Sequence, residues 1–393
     1  MKLLTLFLVT FFINSVFANS TIVDNEEKYS QWKDQIESGL LVKSKLTREE
    51  EKYYIAAVWD TFTSGKGKLS LLKEIIQQEW AIEESFRLEL LGVMYLKRTS
   101  ATQQFKDQLK ETKILSKRLK ILIASYPSES MLLIPGKQLQ EIISAVSMPV
   151  FRNKTNEELQ DLYDYSPDLV TYRGGEYSNS VKLFVFCRKN RLYPCMMLMK
   201  DIYNNPVYLG DTLWHQQALG SSSRGLPYNK VNGNTPSGVH TIDSVMPEAN
   251  RPLAFGKYRR VILQFSPDDL DTSILLPNSA QDKTWWKQAS IARDVGRAHL
   301  RIHGTGRQNT DPTTPFYPLR QTAGCISQKE GIYNNQEYKE QRVLLDTLMQ
   351  AMEFDPIFDN EVKIKGILYL VEIDNKNKSI TLSELKERLE LVR

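Results

Sequence analysis

The feature that most constrains the fold of this chain is a change in the period of its apolar residues near position 147. Before it, apolar residues recur at helical spacing. LTREEEKYYIAAVWDTF opens on a Thr47 to Glu50 capping box, and LSLLKEIIQQEWAIEESFRLELLGVMYL carries Leu72, Ile75, Ile76 and Leu90 at helix-like intervals. FKDQLKETKILSKRLKILI puts Phe105, Leu109, Leu119 and Leu122 on one face, and KQLQEIISAVS follows Pro135 and Gly136. From Val181 the pattern becomes short runs, VKLFVF, LYPCMMLMK, GVHTIDSV, RRVILQF and LRIHG, between long loops of Gly, Asn, Pro and Ser. A helical period and a strand period do not serve the same element. The expectation is an α+β chain, with a helical domain first and a mostly antiparallel sheet after it.

The boundaries follow from the same reading: a helical domain over 24–146, a docking linker over 147–177 with one short helix after Asn156, and a sheet region over 178–330. An extension over 331–393 is expected to add helix, strand and helix, the last capped by Thr381 and Glu384, packed on the sheet region. Between two of the strands lies a stretch with Trp285 and Trp286 flanked by Lys283 and Lys287, readable as a flap over a cleft or as the packing of a surface helix.

The first residues, MKLLTLFLVTFFINSVFA, hold one lysine, an apolar run from Leu3 to Ile13 and a small-residue end at Ala18. That run is half of the about twenty residues a membrane span needs, so 1–18 reads as a cleaved signal peptide; a retained anchor is the alternative. The expected location is across an inner membrane, in a periplasm. A formal charge of +4 over 393 residues is too small, and too interleaved with acidic residues, to call for nucleic acid.

An exported chain with three cysteines has an odd count. Cys187 and Cys195 flank the turn in CRKNRLYPC and share strand parity, so they pair across a hairpin or lie buried as two strand thiols. Either way Cys325 is left over. It stands at one end of HGTGRQNTDPTTPFYPLRQTAGC, with His303 at the other. A thiol needs a base beside it to become a nucleophile. Gly304 after the histidine and Gly324 before the cysteine allow the loop ends to approach and leave N–H groups for an oxyanion. A buried core thiol and histidine are the plain alternative. A metal site is disfavoured because His303, Cys325, His299 and His240 lack paired short spacings, and no cofactor is expected.

The pieces NTPSGVHTI at 234–242, IHGTG at 302–306 and TAGCI at 322–326, in this order, resemble the L,D-transpeptidase catalytic (YkuD-type) domain over about 178–330. The resemblance implies Cys325 as nucleophile, His303 as general base, the Gly304 carbonyl as the group orienting the imidazole, and the Gly324 and Cys325 N–H groups as oxyanion donors. Thr322 matches the motif's hydroxyl residue, and Pro236 and Gly238 its preceding strand. Ala323 replaces a second histidine, and Ser327 stands where an arginine or asparagine is common. Arg307, Arg320 or Arg301 is then expected to meet a substrate carboxylate, with Tyr317 and Ser327 as further contacts and His299 behind the site. His215 and His240 read as structural.

The implied substrate is a peptidoglycan tetrapeptide stem. Cys325 would form a thioester at its third residue and release D-alanine, and an acceptor would then resolve the thioester. An amine, from another stem, a D-amino acid or a lipoprotein lysine, makes a transferase; water makes an L,D-carboxypeptidase or a lipoprotein-releasing hydrolase. A decayed wall-binding scaffold, working through its helical domain on a wall-associated partner, is the reading from another class. The sequence does not specify an oligomeric state.

Overall fold

The computed structural model of the protein describes residues 148–391, apart from 231, 249, 250, 296 and 334, and before them 27–40, 117–125, 136–146 and single positions between 46 and 134. The expected signal peptide at 1–18 lies outside the described residues. So do Leu72, Ile76, Leu90, Phe105, Leu109 and the side chain of Leu122.

The chain divides into two compact units. One comprises Met1–Met148 with Asn229–Val231 and Ile291–Ala298; the other comprises Pro149–Tyr228, Asn232–Ser290 and His299–Arg393. The described elements of the first are helices, among them Lys117–Ser125 and Gly136–Val146. Its capping box forms: the Thr47 N–H donates to Glu50 Oε2 at 2.8 Å and the Glu50 N–H to Thr47 Oγ1 at 3.3 Å. Ile36, Tyr54, Val58, Ile75 and Leu119 are buried, and Trp32 meets Tyr54 edge-on with centroids 5.9 Å apart.

The second unit is a mixed α+β structure around a large, nearly closed sheet. Its strands are β1 Val181–Arg188, β2 Cys195–Lys200, β3 Tyr208–Leu209, β4 Thr212–Leu213, β5 His215–Ala218, β6 Gly238–Val245, β7 Val261–Phe265 and β8 Leu300–Gly304. β9 Ile326–Gln328, β10 Glu330–Tyr333, β11 Gln336–Lys339 and β12 Lys365–Asp374 follow. Eight of them form one sheet in the order β5-β2-β1-β12-β6-β7-β8-β9, while β3 with β4 and β10 with β11 make small ribbons. β1–β12 and β8–β9 pair in parallel; the other neighbours in the large sheet are antiparallel. Leu219, just after β5, exchanges both main-chain hydrogen bonds with Ser327 of β9, at 3.1 and 3.0 Å, and so nearly closes the sheet.

Alternation along the strands divides the core in two. On one face Val181, Leu183, Val185, Leu368 and Leu370 pack with Ile302, Ile326 and the helix Glu340–Ala351 through Leu344, Leu345, Leu348 and Met349. On the other, Phe184, Phe186, Tyr369 and Val371 pack with Leu159, Leu162 and Tyr163 of the helix Asn156–Asp164 and with Trp285 and Trp286. Both faces are covered, so the central strands β1 and β12 carry apolar side chains towards both sides, as in LFVF and ILYLV. The two tryptophans are packing residues, as the plainer of the two readings has it.

Two further segments belong to the sheet unit. Within 147–177, the stretch read as a docking linker, residues 149–177 belong to the sheet unit: Thr155 closes a capping box on the helix Asn156–Asp164, and Tyr172 and Tyr177 are buried. From the extension, β12 lies inside the sheet, hydrogen-bonded between β1 and β6. Among the described residues no helix is long and apolar enough to cross a membrane.

Candidate active site

β8 and β9 run parallel with Ile302 opposite Ile326 and His303 opposite Ser327. Ile302 and Ile326 both turn into the core, so by alternation His303 and Cys325, the residue just before β9, project from the opposite face, with Arg301 level with the cysteine. Two residues 22 apart in sequence are thereby brought to neighbouring strands.

His303 is 2% exposed, and its Nδ1 lies 2.6 Å from the carbonyl oxygen of Gly304. A carbonyl only accepts, so Nδ1 carries the proton and Nε2 keeps its lone pair. Burial pushes the imidazole pKa down to about 4; the Gly304 carbonyl works against that, and the charges of Arg260 and Arg301 reinforce it. The ring is neutral at pH 7 and offers Nε2 as a base. Phe255 packs on it edge-on, with centroids 5.4 Å apart.

Cys325 is the free thiol and is partly exposed, while Cys187 and Cys195 are joined in a disulfide across the β1–β2 hairpin. The Cys325 Sγ points to the His299 carbonyl oxygen at 3.9 Å. His299, expected behind the site, thus meets the thiol through its main chain, from a backbone at φ +62 that few non-glycine residues adopt.

The loop before the cysteine is fastened by its own hydroxyls. Thr322 Oγ1 donates to the Cys325 carbonyl at 2.7 Å and accepts the Gly324 N–H at 3.2 Å. Gly324 therefore has to release Thr322 before it can serve as an oxyanion donor. Thr322 also pairs through its main chain with Ser221 and Ser223, at 3.2 and 2.7 Å. Its contacts are internal to the protein, and they brace the cysteine.

Ser327, expected to contact substrate, is fully buried: its hydroxyl donates to the Arg320 carbonyl at 2.6 Å. The register explains this burial, because Ser327 is the residue whose main chain closes the sheet on Leu219. Arg307 is exposed, with its N–H on the Leu253 carbonyl at 3.1 Å, and half-buried Arg320 reaches the Gln308 carbonyl at 3.3 Å. Tyr317 is half-buried with its N–H on the Thr314 carbonyl at 3.0 Å, and Arg301 is 7% exposed. His240 is buried with Nε2 at 3.2 Å from the Pro236 carbonyl, a structural position, and His215 lies on β5.

Sequence reasoning passed over Thr235. Its buried hydroxyl donates to the Gly324 carbonyl at 2.8 Å, tying the TPSG turn to the loop before Cys325. The turn is itself anchored: Ser237 receives Arg191 Nη2 at 2.8 Å, and its N–H donates to Gln288 Oε1 at 3.0 Å. Gly238 lies at φ +139, and a Cβ there would stand 2.7 Å from that of Ala289, so only glycine fits. No family model matches the chain, and no curated protein or solved structure was found similar to it.

Proposed function

We propose that the protein is an exported cysteine acyltransferase of the L,D-transpeptidase type, acting on peptidoglycan tetrapeptide stems. The observation that carries this reading is the His303 Nδ1 contact to the Gly304 carbonyl, which leaves Nε2 basic on the face from which Cys325 projects. The three motifs at 234–242, 302–306 and 322–326 support the substrate class through the family they resemble.

In this reading the Cys325 Sγ–H bond breaks, its proton passes to His303 Nε2, and the thiolate adds to the carbonyl carbon of the third stem residue. The tetrahedral oxyanion collapses as the C–N bond to D-alanine breaks, and the imidazolium returns its proton to the leaving amine. An amine acceptor then attacks the thioester, His303 takes its proton, the C–S bond breaks, and the imidazolium returns the proton to the Cys325 sulfur. The Gly304 carbonyl holds the tautomer throughout, the part a carboxylate plays in a serine triad.

The test is digestion of purified tetrapeptide muropeptides with the protein, with and without a D-amino acid, read by mass spectrometry. Exchange product and a thioester on Cys325 are expected, both lost in Cys325→Ala. Tripeptide without exchange would assign water as the acceptor. Absence of both thioester and turnover with folded wild-type protein would refute the reading.

A further inference from the structure

Glu330, the first residue of β10, is not used by the chemistry above. Its side chain occupies the space a side chain on Gly304 would fill: a Cβ built on Gly304 would stand 2.7 Å from Glu330 Cδ and 3.1 Å from Glu330 Cβ. Gly256, at φ +77, is held as closely, since a Cβ there would lie 2.9 Å from Glu330 Cδ and 2.9 Å from the Gly304 carbonyl carbon. Two glycines thus admit one carboxyl. Its Oε1 accepts the Lys257 N–H, and its Oε2, buried, has no hydrogen-bond partner among the described residues. Burying a carboxyl oxygen without a donor is costly, so the position calls for a functional account.

The charges around it supply one. Arg260, just before β7, and Arg301 on β8 both oppose a proton on His303. Lys257 faces Glu330 from the turn before β7, and burial raises the Glu330 pKa while Lys257 opposes that rise. Lys329, next in the chain, is engaged by Glu340 at 2.8 Å. Glu330 is the acidic group packed directly on the main chain that orients the imidazole.

We propose that Glu330 is a positioning residue for His303: it fixes the Gly304 carbonyl and, as carboxylate, balances the imidazolium formed when Cys325 gives up its proton amid the two arginines. This rests on His303 serving Cys325 as base. The proton moves from Sγ to Nε2, and Glu330 makes and breaks no bond.

The experiment follows alkylation of Cys325 by iodoacetamide against pH, which needs no peptide substrate and so stands apart from the acyl-transfer reading. Glu330→Gln keeps an oxygen for the Lys257 N–H and removes the charge. It is expected to slow alkylation several-fold at pH 7, because the proton passing from Sγ to Nε2 loses its balancing charge, with Glu330→Asp recovering part of the rate. A merely structural Glu330 would leave the profile of the folded variant in place, and an unchanged profile overturns the proposal. If Glu330→Gln does not fold, the wild type carries the test. Its rate profile is expected to show a second inflection at the carboxyl's own midpoint, measured by carbon-13 NMR of labelled glutamate, and a profile with one ionisation overturns the proposal.

Discussion

Replacing His303 with glutamine removes one titrating group from a site where burial holds it neutral, and the consequence for stability has a definite sign. In the unfolded chain the imidazole ionises near 6.5, and in the folded protein near 4. Between these values the unfolded state binds more protons, so folding stability falls as pH is lowered from 6.5 to about 4 and is unaffected by this group above 6.5. At about 1.4 kcal/mol per tenfold, the full loss is about 3 kcal/mol. Glutamine carries no such penalty, but it leaves part of the ring volume empty, a cost of about 1–2 kcal/mol. Urea unfolding by near-ultraviolet circular dichroism should therefore find the wild type more stable at pH 7.5. The two should be equal between about pH 6 and 5, and the variant more stable at about pH 4. Carboxyl groups common to both proteins cancel in the difference. A difference that stays constant across this range would refute burial as the force holding His303 neutral, and one that grew in favour of the wild type would place its pKa above 6.5.

Three further perturbations have expected outcomes. Replacing both Cys187 and Cys195 with alanine opens a crosslink between residues 8 apart and should cost about 2–3 kcal/mol in chemical denaturation, while native wild-type protein under non-reducing conditions should titrate one thiol per chain. Gly238→Ala would force a Cβ to 2.7 Å from the Ala289 Cβ at a left-handed φ, and should lower stability by about 3 kcal/mol or more; a loss below about 1 kcal/mol would show that the turn relaxes freely. Thr235→Val deletes the donor to the Gly324 carbonyl and should cost about 1–3 kcal/mol. Alkylation of Cys325 should also lose its single-exponential course in that variant as the loop samples other positions, and unaltered kinetics would separate Thr235 from the site.

The expectations that the structure meets are those whose cause is local. The Thr47 capping box, the short helix after Asn156, the strand at VKLFVF and the hairpin that brings Cys187 to Cys195 each need only a few neighbouring residues. The position of β12 within the sheet has no local mark, because an apolar strand reads the same at the centre of a sheet as beside one; its place is set by pairing with β1, nearly two hundred residues earlier. Ser327 is expected to contact substrate because it stands two past the cysteine; its burial follows from the closure of the sheet on Leu219, which leaves no local mark. Thr235 and Glu330 were missed for a similar reason. A hydroxyl three residues before a strand and a glutamate in SQKEGIY look like solvent-facing residues until the sheet brings Gly324 to one and Gly304 to the other.

Those distant connections also explain why the hairpin disulfide, remote in sequence from Cys325, bears on it. The pair closes the segment 187–195, and Arg191 within that segment is buried, with Nη2 at 3.0 Å from Glu372 of β12 and 2.8 Å from Ser237 Oγ. Glu372 in turn accepts Gln288 Nε2 at 3.0 Å, and Gln288 receives the Ser237 N–H. Ser237 is thus gripped from two sides, and two residues before it Thr235 holds the Gly324 carbonyl. A buried guanidinium without its partners is strongly destabilising, so this network is occupied as a whole or abandoned as a whole. The crosslink confines the segment that bears Arg191, the arginine fixes the turn, and the turn fixes the peptide next to the thiol. The crosslink between Cys187 and Cys195 therefore helps to position the one cysteine that lies outside it.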